Sequence, residues 1–318
     1  MSTRERLMAI LVAVLWGLNF LAIHLSLEQF PPFFLVALRF ALLAVPTVLL
    51  VPRPDVPLRW LLGYGLGFGT LQFLFLYWAM ATGMPAGLAS LVLQSSAPMT
   101  VLLGATLLRE RLDRGQVIGI LLAVAGLTAI GWQQLGSAAL GPFLLTLLGA
   151  LGWALGNLSN RLARPSKPMH LTLWMSVVPV VPMLAVSLWA EGPAAIGASF
   201  VGLETTTGLL ALAGLGYTVL LGTVVGSGIW TWLLARHPSS RIAPFSMLVP
   251  IVGLLTAWAA LGETLTAGEL AGAGVVVLGV LLGSGALPRG ARRRLELEAA
   301  PDGAAPASSG PIATASAR

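Results

Sequence analysis

Residues 14–25 read VLWGLNFLAIHL, an apolar helical stretch interrupted by an amide and an imidazole. At about 100° per residue, Trp16, Phe20 and His24 fall within about 80° of one another, with Asn19 about 60° to the other side of Trp16. A second stretch repeats the arrangement, with Trp153, Asn157 and Asn160 at i, i+4, i+7. Each offers an aromatic wall and an amide on one helix face. An amide donates to a carboxylate and accepts from an ammonium, so such a face suits a zwitterionic metabolite. The competing role for Asn19 and Asn157 is bridging between helices, worth about 0.6–2 kcal/mol each.

Further along, Ser90, Gln94 and Pro98 stand at i, i+4, i+8. Pro98 cannot donate to the carbonyl of Gln94, and Pro250 likewise frees the carbonyl of Ser246. Both prolines are hinge or kink candidates. Gln94 is a candidate for substrate contact, with a helix bend alone as its alternative. Gln72 with Tyr77, and Tyr217 with Ser227 and Trp230, are weaker polar or aromatic candidates, because a buried tyrosine or tryptophan often serves only a neighbouring backbone group. Arg39 is the one permanent charge inside an apolar run. An unpaired arginine at the bilayer centre costs about 2.5–3.5 kcal/mol on insertion scales. Its position permits snorkelling, so either a structural pairing or attraction of a substrate carboxylate is open. No aspartate or glutamate lies deep in an apolar run. Proton coupling would therefore fall to His24 or to acids at the surface, with uncoupled facilitated export as the alternative. His170 and His237 sit in basic linkers and are expected to be solvated. Glu110 and Glu263 end helices and are expected to cap or hinge.

The elements that must position these residues follow from composition. Of 318 residues, 57% are hydrophobic and 9% are charged, against about 25% charged in soluble proteins. With a mean hydropathy of +0.88, this composition describes a polytopic membrane protein. Cysteine is absent, which removes disulfides and thiolate metal sites. The first apolar run lacks a small-residue cleavage site and reads as a membrane span, not a removed signal. The formal charge of +6 is spread over short linkers with no basic stripe of interleaved aromatics, so nucleic-acid binding is not expected.

Apolar stretches of about 17–25 residues fit a hydrocarbon core of about 30 Å. Ten are expected, near 7–27, 33–51, 58–81, 85–107, 115–132, 140–160, 170–190, 207–234, 241–261 and 267–287. Basic residues occupy alternate linkers: Arg4 and Arg6; Arg53 and Arg59; Arg109, Arg111 and Arg114; Arg161, Arg164 and Lys167; Arg236 and Arg241; then Arg289, Arg292, Arg293 and Arg294. The remaining linkers carry only acids, among them Glu28, Glu191, Glu204, Glu263 and Glu269. By the positive-inside rule both termini are cytoplasmic. Residues 288–318, basic and then rich in Ala, Pro, Ser and Gly, read as a disordered cytoplasmic tail.

The chain also repeats itself. ERLDRGQVIGILLAVAG (110–126) and ETLTAGELAGAGVVVLG (263–279) share Glu110/Glu263, Leu112/Leu265, Gly115/Gly268, Gly119/Gly272 and Gly126/Gly279 at a constant offset of 153 residues. The expected organisation is a first repeat at 1–137 and a second at 138–287. Five spans per repeat is an odd number, so the second would enter the bilayer from the opposite side. Inverted repeats are the architecture of many secondary transporters, with the substrate site near the midplane at the repeat interface. The GxxxG pairs (Gly115/Gly119, Gly152/Gly156, Gly222/Gly226, Gly268/Gly272) permit close helix approach, either within one chain or in a homodimer.

At LWGLN, PAGLASLVLQSSAP, LLRERL and LVPIVGLLTAWAALGETL, the chain resembles the EamA family of the drug/metabolite transporter superfamily. The likeness extends over roughly residues 5–287. RFALLAVPTVLLVPRPDVPL, GMPAGLASLVLQ and RIAPFSMLVPIVGL bring it nearer to the O-acetylserine/cysteine exporters than to the aromatic amino-acid branch. The resemblance implies a ten-helix 5+5 fold in the bacterial inner membrane. It also implies export of small amino-acid-like metabolites by alternating access. One departure is His24, which stands where that branch has a lysine; a role there in substrate or proton handling would make the charge pH-dependent near neutrality.

Other classes lack their signatures. There is no HExxH, nucleophile–base set or aspartate pair for an intramembrane enzyme, and no phosphate-cradling loop for ATP-driven pumping. No metal site or cofactor is expected. The expected partners are a small polar metabolite and the lipid bilayer. Other amino acids or drugs remain as alternative cargo, and a channel or a non-transporting subunit as a remote alternative.

Overall fold

Ser2 starts the first helix by accepting from the Glu5 N–H at 3.3 Å while the Glu5 carboxylate takes the Ser2 N–H at 2.6 Å. This is a capping box, two exposed backbone donors satisfied reciprocally. From there a computed structural model describes residues 2–109, 111–133, 140–234, 236–237, 242, 245–246 and 248–283. They lie within the compact unit Met1–Ala286. Glu110, residues 241, 243, 244 and 247 of the ninth apolar stretch, and the C-terminal tail fall outside the described residues.

The described elements are helical. In order they are α1 (Thr3–Leu27), α2 (Pro32–Leu50), α3 (Leu58–Ala81), α4 (Ala86–Leu107), α5 (Arg114–Gln133), α6 (Leu140–Ala163), α7 (Pro168–Ala190), a short helix Gly192–Ala198, α8 (Thr206–Leu233), α9 (Leu248–Leu261) and α10 (Ala267–Gly283). Seven of them (α1–α4 and α6–α8) are long and apolar enough to cross a bilayer, and α5, α9 and α10 contain apolar helical stretches of 10–17 residues. Each of the ten expected apolar runs falls on one of these helices.

Helix starts are set by chemistry visible in the linkers. Pro32 occupies the first turn of α2, where its missing N–H costs nothing. The next two donors, Phe33 and Phe34, reach the Glu191 carboxylate at 2.7 and 2.9 Å. The start of α4 is held the same way, with Ala86 and Gly87 donating to Glu263 at 2.8 and 3.0 Å. In both cases a carboxylate past the end of one helix satisfies the positive end of a helix more than 150 residues away in sequence.

Packing joins early helices to late ones. α5 lies along α10, α2 along α7, and α4 against α9; α1 packs on α8 and α9, while α6 packs on α3 and α4. At the α5–α10 crossing, a methyl placed on Gly126 would sit 2.7 Å from the Gly272 oxygen, and one on Gly279 would sit 2.7 Å from the Gly119 oxygen. These are the glycines matched in sequence at an offset of 153. The crossing thus has a local two-fold relation, with backbone against backbone where only glycine fits. The glycine pairs at 152/156 and 222/226 are likewise consumed inside the chain, against Phe68 and Gly67 of α3 and against Trp16 and Asn19 of α1.

A feature absent from the sequence reading is a wide π turn in both α3 and α8. It spans Gly65–Leu71 in the first and Tyr217–Val225 in the second. In each, a threonine hydroxyl reaches back five residues, Thr70 to the Gly65 oxygen at 3.3 Å and Thr223 to the Thr218 oxygen at 2.9 Å. Both donors and both acceptors are again 153 residues apart. Such turns inside α-helices occur frequently at functional sites.

Candidate functional site

The π turn of α8 gathers polar side chains from three other helices. From α1, the Trp16 indole donates to the Gly222 oxygen inside the turn at 2.9 Å. Its ring lies 5.2 Å from that of Trp230. The Asn19 carbonyl oxygen flanks the same residue, 2.8 Å from where a Gly222 side chain would begin, and is buried without a hydrogen-bond partner. At the start of the turn, the Tyr217 hydroxyl donates to the Leu15 oxygen of α1 at 3.0 Å.

From α2 comes Arg39, 4% exposed. It does not snorkel. Its Nη1 donates to the Tyr77 hydroxyl of α3 at 2.8 Å and its Nη2 to Thr223 Oγ1 of the π turn at 3.1 Å. The guanidinium carbon stands 4.2 Å from the Phe73 ring centre and 5.0 Å from that of Phe40. Among the described residues no carboxylate lies within ion-pair distance of it. Neutral hydroxyls and aromatic faces stabilise the cation in place of an anion.

A second group surrounds the π turn of α3. Trp153 of α6 stacks edge-on to Phe68 at 5.8 Å, and its neighbour Gly152 lies against the backbone of Gln72 and Gly67. The Gln72 side chain is buried with its carbonyl oxygen unpartnered. Asn157 turns toward α4 and donates to Thr100 Oγ1 at 3.3 Å.

Between α4 and the start of α9, Gln94 Nε2 donates to the Ser246 oxygen at 3.0 Å. This is the carbonyl that Pro250 cannot serve. Around Gln94 itself the helix tightens to a 3-10 turn at Leu93–Ser95, four residues before Pro98. Phe20 is buried in the main core. His24 is not brought to either π turn: it lies on the last turn of α1, with its side chain 37% exposed and 3.8 Å from Glu28. His237, expected to be solvated, instead sits 2.9 Å from the Glu5 carboxylate with 15% of its side chain exposed. The capping box fixes Glu5 in reach of it.

Thus Trp16, Asn19, Tyr217 and Trp230 share one π turn, Gln72 and Trp153 the other, and Gln94 spans to α9. Sequence reasoning missed Thr70, Thr223 and Gly69, and read Gly222 only as one half of a GxxxG pair. The signal was present as Gly69-Thr70 and Gly222-Thr223, paired at the offset of 153 already found in 110–126 and 263–279. Among the described residues no group of three or more His, Cys, Asp or Glu gathers to hold a metal. An apolar groove of about 400 Å³ between the start of α3 and α7, lined by Arg53, Leu58 and Trp174 among others, contains none of the candidate residues.

Residues 4–132 and 140–285 both match the EamA-like transporter family. The chain belongs to that family. A probable amino-acid metabolite efflux pump of Salmonella typhimurium is 44% identical over 288 residues, covering 89% of this chain and 95% of its own. The Escherichia coli protein of the same description is 42% identical over the same coverage. An inner membrane transporter of Escherichia coli, YedA, is 25% identical over 85% of this chain and 87% of its own. A crystal structure 20% identical in sequence superposes with a TM-score of 0.56, covering 89% of this chain and 98% of that one, and shares the fold. This EamA-like protein is a membrane transporter whose described elements are helical.

Proposed function

We propose that this EamA-like transporter exports small amino-acid-like metabolites, of the O-acetylserine and cysteine type, across the inner membrane by alternating access. The observation that carries the reading is the pair of π turns. Each lies in the third helix of a repeat, is closed by an equivalent threonine, and faces an aromatic residue from the first helix of the other repeat, Trp153 at the α3 turn and Trp16, with the Asn19 amide, at the α8 turn. On this reading, residues 1–137 and 138–287 are inverted five-span repeats, ten spans in all, with both termini cytoplasmic. The alternation of basic and acidic linkers supports that orientation. The efflux function named for the 44% and 42% identical relatives supports the direction and the class of cargo.

In this scheme the substrate sits between the group of Trp16, Asn19, Trp230 and the α8 turn and the group of Gln72, Trp153 and the α3 turn. A π turn has one residue more than its α-helical length requires, so it gives a helix a place to change pitch without losing its flanking hydrogen bonds. Exchange of the two turns' conformations would convert an inward-open form to an outward-open one. Gln94 and the Ser246 carbonyl bridge the two repeats beside Pro98 and Pro250, where the helices are already interrupted.

Release assays in cells test the reading. Overproducing cells are expected to release more O-acetylserine or cysteine than cells carrying an Asn19→Ala, Trp16→Ala double variant at equal protein level. Equal release by both would set the proposed site aside, and no release above the empty vector would set the cargo aside.

A further inference from the structure

Arg39 is buried with part of its donor set unused. A guanidinium carries five donors. Here Nη1 and Nη2 each meet one hydroxyl, and Nε is buried with no partner. One helical position on the π turn separates the Arg39 contact at Thr223 from Gly222, beside which the Asn19 oxygen is also buried and unpartnered. Thr218, at the other end of the same Thr223 bond, has its own hydroxyl buried without a partner. Unused donors (Arg39 Nε and the Thr218 hydroxyl) and an unused acceptor (Asn19 Oδ1) therefore adjoin a single turn. Buried polar groups in folded proteins are almost always satisfied. A cluster of orphans with both polarities is satisfied at once by a ligand that is anionic at one end and cationic at the other.

We propose that Arg39 binds the carboxylate of the transported metabolite, with Asn19 receiving its ammonium. The proposal rests on the transport reading above and goes beyond it by assigning the residue that recognises the cargo's acid group. A carboxylate takes two parallel N–H bonds from a guanidinium fork, and Nε with one Nη presents that fork. Phe40 and Phe73 flank the guanidinium and exclude water, which strengthens the pairing. In the absence of cargo, Tyr77 and Thr223 keep the cation hydrogen-bonded. When a carboxylate takes Nη2, the Thr223 hydroxyl loses its cross-helix donor, so occupancy is felt directly at the π turn.

Counterflow in proteoliposomes tests this. A labelled amino acid that the wild type exchanges is competed by the same amino acid unlabelled and by its methyl ester, in the wild type and in Arg39→Gln. The ester is expected to compete about tenfold or more weakly in the wild type. In Arg39→Gln the free acid is expected to lose about 10- to 100-fold in apparent affinity while the ester is unchanged, so discrimination collapses. A merely structural arginine would lower the amount of active protein without moving that ratio. Arg39→Lys, which keeps the charge without the fork, replaces the glutamine variant where that one does not fold, and is expected to lose part of the ratio. Exchange by the wild type with no preference for the free acid, or a wild-type ratio in a folded Arg39 variant, would overturn the assignment. Failure of the wild type to exchange any amino acid would instead remove the transport reading, and this proposal with it.

Discussion

Gln94 Nε2 donates to the Ser246 carbonyl at 3.0 Å, across 152 residues of sequence and four residues before Pro250, which has no N–H to offer it. One substitution gives the carbonyl a local donor. Pro250→Ala is expected to let residue 250 compete for Ser246 and to release Gln94, leaving its amide short of a partner. Folding should be retained, since Ala is a strong helix former. Transport should fall on the order of tenfold, a barrier change of about 1.4 kcal/mol. Gln94→Leu should lower transport similarly, and the double variant should be no worse than either alone, as measured by initial rates of exchange.

Trp16 acts on the α8 turn through one bond. Trp16→Phe keeps a ring against Trp230 but leaves the Gly222 carbonyl, inside the turn, without its indole donor. Loss of a partner to a buried acceptor costs about 1–3 kcal/mol. A drop of several degrees in the thermal transition of the detergent-solubilised protein is expected. A matched control is Trp132→Phe, which changes an exposed ring and should leave the transition where it is.

The α5–α10 crossing is less forgiving. Gly126→Leu would drive a side chain into the Gly272 oxygen at 2.7 Å and the Val276 nitrogen at 2.9 Å, and Gly279→Leu into the Ala123 nitrogen at 2.5 Å. Because backbone is met in both cases, no rotamer relieves the overlap. Either variant is expected to reduce folded protein severely by size-exclusion chromatography. Gly274→Ala on the same helix meets nothing within 4 Å and should behave as wild type or slightly better.

Two carboxylates hold helix starts contributed from far away in sequence. Glu263→Gln should weaken the pair of bonds to Ala86 and Gly87, and Glu191→Gln those to Phe33 and Phe34. Charge-assisted bonds at a helix N-terminus are worth about 1–2 kcal/mol in partly buried settings. The two sites use different helices, so the losses should add in the double variant, read as successive decreases in thermal transition.

How far the sequence reached differs by kind of interaction. The place of the Ser246 carbonyl opposite Pro250 and the glycines of 110–126 and 263–279 were legible because proline chemistry and small-residue spacing act locally. Trp16 and Asn19 were legible as a face, but their meeting with Gly222 depends on which helix lies opposite, and periodicity does not encode that. The π turns were missed for the same reason. A threonine reaching five residues back depends on glycines that let a neighbouring helix approach, and at the α8 turn on an indole from α1. Arg39 looked able to snorkel because its depth along α2 allowed it. Tyr77, Phe73 and Thr223, from two other helices, hold it inward instead. His24 shared a helical stripe with Trp16 and Phe20 over two turns, yet α1 carries it past the packed region to a partly exposed last turn.

Counterflow itself tests the central claim most directly. Proteoliposomes loaded with unlabelled O-acetylserine or cysteine are presented with the labelled compound outside, beside liposomes loaded with an aromatic amino acid. Saturable, transient accumulation of label with the small substrates, and little with the aromatic one, is the expected result, because a carrier that alternates access exchanges cargo faster than it crosses empty. Folded protein that exchanges none of these compounds, or that passes them without saturation, would contradict the account.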